Sequence, residues 1–202
     1  RDLEIATQVK HFVLTGLIDD ITIGNAYASE AELKAMSESF FADNPKIKVD
    51  VLDTITDDER VVLFENLHRY RGDRSIYMLR STMTRIKYKD LPFPATNTPD
   101  MVKGDVLVDN VGYGQYKGEM QIALKEMKND GRVNVVARIA EDEMFLLDFL
   151  KPWSNFELIE NVENEKIEEI IYDIENKDVN NMTPMEALTF LSEIKSKLEE
   201  KK

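Results

Sequence analysis

The stretch Gly104-Asp105-Val106-Leu107-Val108-Asp109-Asn110-Val111-Gly112-Tyr113-Gly114-Gln115-Tyr116-Lys117-Gly118-Glu119-Met120-Gln121-Ile122 sets two strand-like runs on either side of a segment crowded with glycine, tyrosine and amide side chains. Residues 105–109 and 119–125 read as strands, and the segment between them is unusual for a plain hairpin. Glycine permits positive φ and close backbone approach, while tyrosine rings beside Asn and Gln amides are groups that contact sugars. A structural hairpin with stacked aromatics is the alternative on the residues alone. Working outward, the text from 46 to 160 keeps a period of two. Ile47, Val49 and Val51 alternate with polar neighbours, and residues 60–64, 76–80, 85–88, 133–139 and 156–159 read as further strands. The proline-rich run 91–99 is a loop, since proline cannot hold central ladder bonds, and 141–149 reads as a short helix. About eight strands with one helix predict a closed β-barrel, because closure removes exposed edges.

The first forty residues follow a different rule. Ile5, Val9, Phe12 and Val13 share one face of a helix over 1–14 that Gly16 ends. Residues 19–25 read as a short buried strand. Ser29 caps the next helix, Glu32 closes its capping box, and Leu33, Met36 and Phe40 form its apolar face. A helix-strand-helix unit of this kind belongs to a parallel α/β fold, and one strand cannot satisfy its backbone groups alone. The expectation is that residues 1–44 end a larger α/β domain. Gly24, Asn25 and Ser29 then occupy the strand-to-helix turn where such folds hold anions, or they form an ordinary tight turn and cap.

Beyond Glu160 the text is helical and acidic. Thr183 is an N-cap, Pro184 suits the first helical position, and Glu186 completes a capping box. Ala187, Leu191, Ile194 and Leu198 recur at spacings of four and three and form one apolar seam. Ile167, Ile170, Ile171 and Ile174 line a preceding helix, so residues 161–202 predict a helical hairpin. Such a hairpin exposes more apolar surface than it covers, which points to self-association through that seam.

A net charge of −13 over 202 residues disfavours direct nucleic-acid binding. The absence of cysteine removes thiol chemistry and Cys-type zinc sites, and two histidines, His11 and His68, are too few for a His-cluster metal site. Each histidine reads as a surface or hydrogen-bonded residue. No run of about 18 apolar residues and no signal-peptide layout is present, so a cytoplasmic chain without membrane contact is expected. No Gly-x-x-x-x-Gly-Lys-Ser/Thr run exists. Against the acidic background stands a basic strip, Arg69-Tyr70-Arg71-Gly72-Asp73-Arg74 with Arg80 and Arg85, either outward strand residues or an anion or phosphorylated-sugar site.

Two resemblances follow from these residues. The run Gly16-Leu17-Ile18-Asp19-Asp20-Ile21-Thr22-Ile23-Gly24-Asn25-Ala26-Tyr27-Ala28-Ser29, then Met78-Leu79-Arg80-Ser81, then the 104–122 stretch, resembles the C-terminal part of the MupG family of 6-phospho-N-acetylmuramidases. The resemblance covers about residues 1–160. It implies an α+β chain in which the end of a TIM-type α/β barrel (1–44) precedes a cyclophilin-like closed β-barrel (45–160). It also implies cytoplasmic hydrolysis of a phosphorylated muramic acid–glucosamine disaccharide, with no cofactor. Glycoside hydrolysis needs paired carboxylates, which the resemblance places in the barrel portion this sequence lacks. No catalytic residue is therefore assigned, and an inactive fragment is expected. Gly24, Asn25, Arg80, Asn110, Tyr113, Tyr116 and Glu119 are the implied contacts to a phosphorylated amino sugar. The second resemblance joins Asp178 and the run Met182-Thr183-Pro184-Met185-Glu186-Ala187-Leu188 with Leu191, Ile194 and Lys195 to the C-terminus of bacterial MutS mismatch-repair proteins, whose terminal hairpin associates subunits. The alternatives to a muramidase fragment are thus a mismatch-repair association tail or a barrel that only binds sugar or peptide.

Overall fold

The computed structural model describes residues 3–24, 27–73, 75–161, 170, 174, 177 and 182–199, without the side chains of 184 and 197–199. Residues 1–160 form one compact unit and residues 161–202 a second.

In the first unit, helices α1 (Ile5–Thr15) and α2 (Glu30–Phe40) precede strand β1 (Lys46–Val51). Helix α1 ends as its sequence predicts, with Gly16 in the left-handed region at φ 66°. Ser29 and Glu32 close the foreseen capping box on α2. Residues 19–24, expected as a strand, are not one: nothing pairs with them among the described residues, and a strand without a ladder partner leaves its backbone groups unmatched.

Helix α3 (Asp57–Phe64) replaces the strand expected at 60–64. Thr56 accepts from the Glu59 N–H while the Glu59 carboxylate accepts from the Thr56 N–H, so the capping box overrides the apolar run that follows it. Strand β2 (His68–Arg69) is short, and β3 (Met78–Ser81) matches the predicted run. Helix α4 (Met83–Lys87) stands where 85–88 was expected to be a strand. Its alternation misleads because Ile86 is exposed rather than buried, and Thr84 fixes the turn by donating to the Ser81 carbonyl and accepting the Met120 N–H. Strands β4 (Asp105–Asp109), β5 (Met120–Ala123), β6 (Val133–Ile139) and β7 (Asn155–Glu160) follow, with 3-10 turns at Val111–Tyr116 and Glu141–Asp148.

These strands make one seven-stranded sheet in the order β2-β7-β1-β6-β4-β5-β3. The β1–β7 pair is parallel and the other pairs are antiparallel. The two end strands meet again: the Arg71 N–H donates to the Arg80 carbonyl at 3.0 Å, and His68 Nδ1 lies 3.2 Å from Ser81 Oγ. The sheet is therefore nearly closed where full closure was expected, and its seven strands are six of the eight expected ones together with β2. The fold is mixed α/β with a barrel-like sheet and a C-terminal helix; the TIM-type and cyclophilin-like descriptions rest on the resemblance alone.

The core lies inside this curve, where Ile47, Val49, Leu79, Val106, Val108, Ile122 and Phe156 are fully buried. Burying a side chain of this size is worth about 1.5–3 kcal/mol. Strand β4 is buried on both faces, because Leu107 turns outward into a second cluster with Met101, Ala123, Val133 and Val135. Helix α1 is fastened to the same unit through a buried ion pair, Lys10 Nζ to Glu143 Oε1 at 2.5 Å. Thr7 donates to the same oxygen and the Lys48 N–H donates to Oε2, so Glu143 is fully bonded. His68 is buried, bonded to the Leu63 carbonyl at 2.9 Å, and stacked on Phe156.

In the second unit, helix α5 (Pro184–Glu199) starts at the predicted capping box, with Glu186 accepting from the Thr183 N–H. The expected seam splits. Ile194 is buried and Ala187 half-buried, whereas Leu191 is 62% exposed. The Leu198 side chain, and Ile167 and Ile171 of the helix expected before α5, lie outside the described residues; Ile170 and Ile174 are helical. Among the described residues no helix is long and apolar enough to cross a membrane.

Candidate functional site

The glycine-rich connection between β4 and β5 builds one wall of a pocket of about 330 Å3. Asn110 begins it, its side-chain oxygen accepting the Gly112 N–H at 2.9 Å while its amide donates to the Gly131 carbonyl and to Asn134 Oδ1. Asn134 continues the chain of bonds to Glu59 of α3 at 2.7 Å. Gly114, at φ 59° and ψ −113°, breaks the 3-10 turn at a conformation that side chains rarely adopt. Gly118, at φ 80°, brings the chain back against Phe93, whose ring would lie 2.9 Å from any added Cβ. The turn so formed holds Tyr113 and Tyr116 edge to face, with centroids 5.3 Å apart.

Charge converges beneath these rings. Arg80 of β3 donates through Nε to Glu119 Oε1 at 2.6 Å, and Arg85 Nε lies 3.3 Å from Glu119 Oε2. Both guanidinium groups also lie over the Tyr116 ring, at 5.4 and 5.0 Å from its centroid, while Arg132 lies 4.5 Å from that of Tyr113. Glu119 is fully buried. Asp109, also fully buried, receives the Gln121 amide on Oδ2 at 2.8 Å. Burial, and then the Glu119 charge, push the Asp109 carboxyl up from 3.8 to about 8, against the opposing pull of Gln121, Arg80 and Arg85. At neutral pH Asp109 is therefore an acid, and the cluster of Arg80, Arg85 and Glu119 carries a net positive charge.

The residues expected from sequence separate into three groups. Arg80, Tyr113 and Tyr116 line the pocket. Glu119 sits behind them as the anchor of both arginines, and Asn110 shapes the turn, all its side-chain bonds going to the protein. Gly24 lies in the irregular segment after α1 and does not line this pocket, and Asn25 lies outside the described residues. Asp109 and Gln121 also line the pocket and were not foreseen, because each read as a polar strand residue. The register carries the signal that sequence lacks: Gln121 pairs with Arg80 on one side and with Leu107 on the other.

Comparison with known proteins places the chain in a family. The C-terminal domain of the 6-phospho-N-acetylmuramidases matches residues 45–159, and the N-terminal domain of the same proteins matches residues 1–38. The chain belongs to the 6-phospho-N-acetylmuramidase family. The pocket and its tyrosine turn lie within the part matched to the C-terminal domain. Neither match passes residue 159, and nothing supports a mismatch-repair segment in 161–202. Among solved structures, an uncharacterised B. cereus protein is 44% identical with a TM-score of 0.74, over 78% of this chain and 45% of that one. A conserved Enterococcus faecalis protein of unknown function is 24% identical with a TM-score of 0.57, over 77% of this chain and 43% of that one, and shows likeness of fold alone. The chain thus spans less than half the length of each. No curated protein matches the chain.

Proposed function

We propose that this muramidase-family chain binds a phosphorylated amino sugar in the pocket between β3, β5 and the Tyr113–Tyr116 turn, and that it serves glycoside hydrolysis as a substrate-holding part rather than as the cleaving one. One observation carries this: Arg80 and Arg85 are gathered by a single buried carboxylate, Glu119, and both lie over one tyrosine ring at the pocket. Two guanidinium groups against one carboxylate leave a net cation, held rigidly, which suits a phosphate monoester. Tyrosine rings supply flat apolar faces for a pyranose. Asp109 and Glu119 do not suit the paired carboxylates of a glycosidase. Glu119 is fully buried, is bound to two arginines and does not line the pocket, so it cannot approach an anomeric carbon. On this reading residues 1–38, matched to the N-terminal domain, are the end of an α/β barrel that would hold the cleaving carboxylates, in a cytoplasmic enzyme.

Calorimetric titration of the purified chain with N-acetylmuramic acid 6-phosphate and with N-acetylmuramic acid tests the reading. The phosphorylated sugar should bind at least about tenfold tighter, a difference of about 1.4 kcal/mol. Arg80→Met should remove most of that preference, since Arg80 is the arginine of the pair that lines the pocket. Equal affinity for the two sugars would refute the phosphate site, and turnover of the disaccharide by the purified chain would refute the division of labour.

The tail supports a second role. Met185, Leu188 and Leu191 are exposed apolar side chains on α5, 72, 63 and 62% open to solvent, and a surface of this kind favours contact with a second copy of this chain.

A further inference from the structure

Three buried polar atoms of the cluster have no hydrogen-bond partner among the described residues: Asp109 Oδ1, Gln121 Oε1 and Glu119 Oε2. The last has Arg85 Nε at 3.3 Å. The first two belong to residues that line the pocket, and they are linked to each other, since Gln121 Nε2 donates to Asp109 Oδ2. A carboxyl and a carboxamide are thus joined side by side, each with one oxygen left over. An unmatched buried polar atom costs about 1–3 kcal/mol, and folded proteins keep few of them. Two in one linked pair, at the wall of a pocket, mark a place where a ligand completes the bonding.

We propose that the Asp109–Gln121 pair reads a secondary amide, the N-acyl group of an acylated amino sugar, one residue meeting the amide carbonyl and the other its N–H. This rests on the reading of the pocket as a phosphosugar site. At neutral pH the Asp109 carboxyl is the acid, so the pair offers one donor, the Asp109 hydroxyl, and one acceptor, Gln121 Oε1. A secondary amide offers the complementary set on two separate atoms, its carbonyl oxygen and its N–H, whereas a hydroxyl must donate and accept through one oxygen held within reach of both side chains. The charged groups around Asp109 act in known directions. Glu119 from the start of β5 opposes its ionisation, Arg80 from β3 and Arg85 from α4 favour it, and Arg132 lies across the turn. Lys128 and Asp130 also line the pocket, and each is paired at the surface, with Asp100 and Arg132 respectively. Once Asp109 ionises it has no proton to donate, and its charge offsets the net cation that Arg80, Arg85 and Glu119 leave for phosphate. Recognition of the acyl group therefore has an upper pH limit.

The test compares N-acetylglucosamine 6-phosphate with glucose 6-phosphate, which differ at the 2-position and are both uncharged there, by calorimetry at pH 7 and pH 9. The wild-type chain should prefer the acetamido sugar about tenfold at pH 7, and the preference should vanish at pH 9. Asp109→Asn keeps a donor that does not titrate, so its preference should persist at both pH values. If both sugars bind equally at pH 7, or if the wild-type preference is unchanged at pH 9, the amide reading is overturned and the phosphosugar site stands. If neither sugar binds at millimolar concentration, both are overturned.

Discussion

Replacing Asp109 by Asn should change how the fold's stability depends on pH. Burial and the Glu119 charge raise this carboxyl from 3.8 to about 8. The folded chain keeps a proton that the unfolded chain releases, so the stability Asp109 contributes is complete below pH 3.8 and is lost as pH rises through 8. The slope is about 1.4 kcal/mol per pH unit. His68 acts in the opposite sense, since burial lowers it from 6.5 to about 4 despite the bond to the Leu63 carbonyl. Its neutral form supports the fold above pH 6.5, and that support is lost as pH falls through 4. Between pH 4 and 6.5 the two slopes cancel. From pH 6.5 to 8 the Asp109 slope is no longer offset by His68, and the wild type should lose about 2 kcal/mol of its unfolding free energy. In Asp109→Asn this decline should disappear, leaving the rise of about 3 kcal/mol from pH 4 to 6.5 that belongs to His68. Urea unfolding followed by far-ultraviolet circular dichroism at half-unit steps reads both slopes. A variant with the same decline as the wild type from pH 6.5 to 8 would show that Asp109 is ionised throughout in the folded protein, and the account of the cluster would fail.

Lys10→Met should destabilise the first unit by about 3 kcal/mol, because it leaves Glu143 buried with only the Thr7 hydroxyl and the Lys48 N–H. Adding Glu143→Gln should recover most of the loss, and a single-variant cost below about 1 kcal/mol in urea unfolding would mean that water reaches the pair. The same bonds bear on deletion of residues 1–44, which removes both Lys10 and Thr7 from Glu143. In sedimentation experiments Leu191→Asp should convert a self-associating chain to a monomer while leaving the β-sheet signal intact, since the Leu191 side chain on α5 is exposed. A wild-type chain that is already monomeric at tens of micromolar would remove the association role.

What the sequence makes legible here is what is local. The left-handed cap at Gly16, the boxes at Ser29 and Thr183, and the alternating strands β1, β4 and β6 each depend on residues within a few positions of one another. The helix at Asp57–Phe64 was legible too. Thr56 and Glu59 have the same spacing as Ser29 and Glu32, and the apolar run after them hid it. Helix α4 was not, because its turn is set by Thr84 reaching across to Met120, a contact between positions 36 apart in the chain. The strand expected at 19–25 shows the converse: a good local pattern does not make a strand without a neighbour.

The site divides along the same line. Tyr113, Tyr116 and Arg80 stand out by residue type, but Asp109 gains its chemistry from burial and from partners on β3, α4 and β5 that only the closed sheet brings together. Strand β4 supplies its own comparison. Asp105, at the other end of the strand, is almost as buried, yet its two oxygens are taken up, one by Arg138 Nε at 2.9 Å and the other by the Val102 N–H at 2.7 Å. Both aspartates flank the run Val106-Leu107-Val108 and read alike in sequence. One is bonded as a structural carboxylate should be; the other keeps an unmatched oxygen, a raised pKa and a place on the wall of a pocket. Had burial alone been the reason for both, both would have been matched in the same way. The difference between two equivalent residues on one strand is what assigns the Asp109 end of β4 to ligand recognition and the Asp105 end to holding the sheet together.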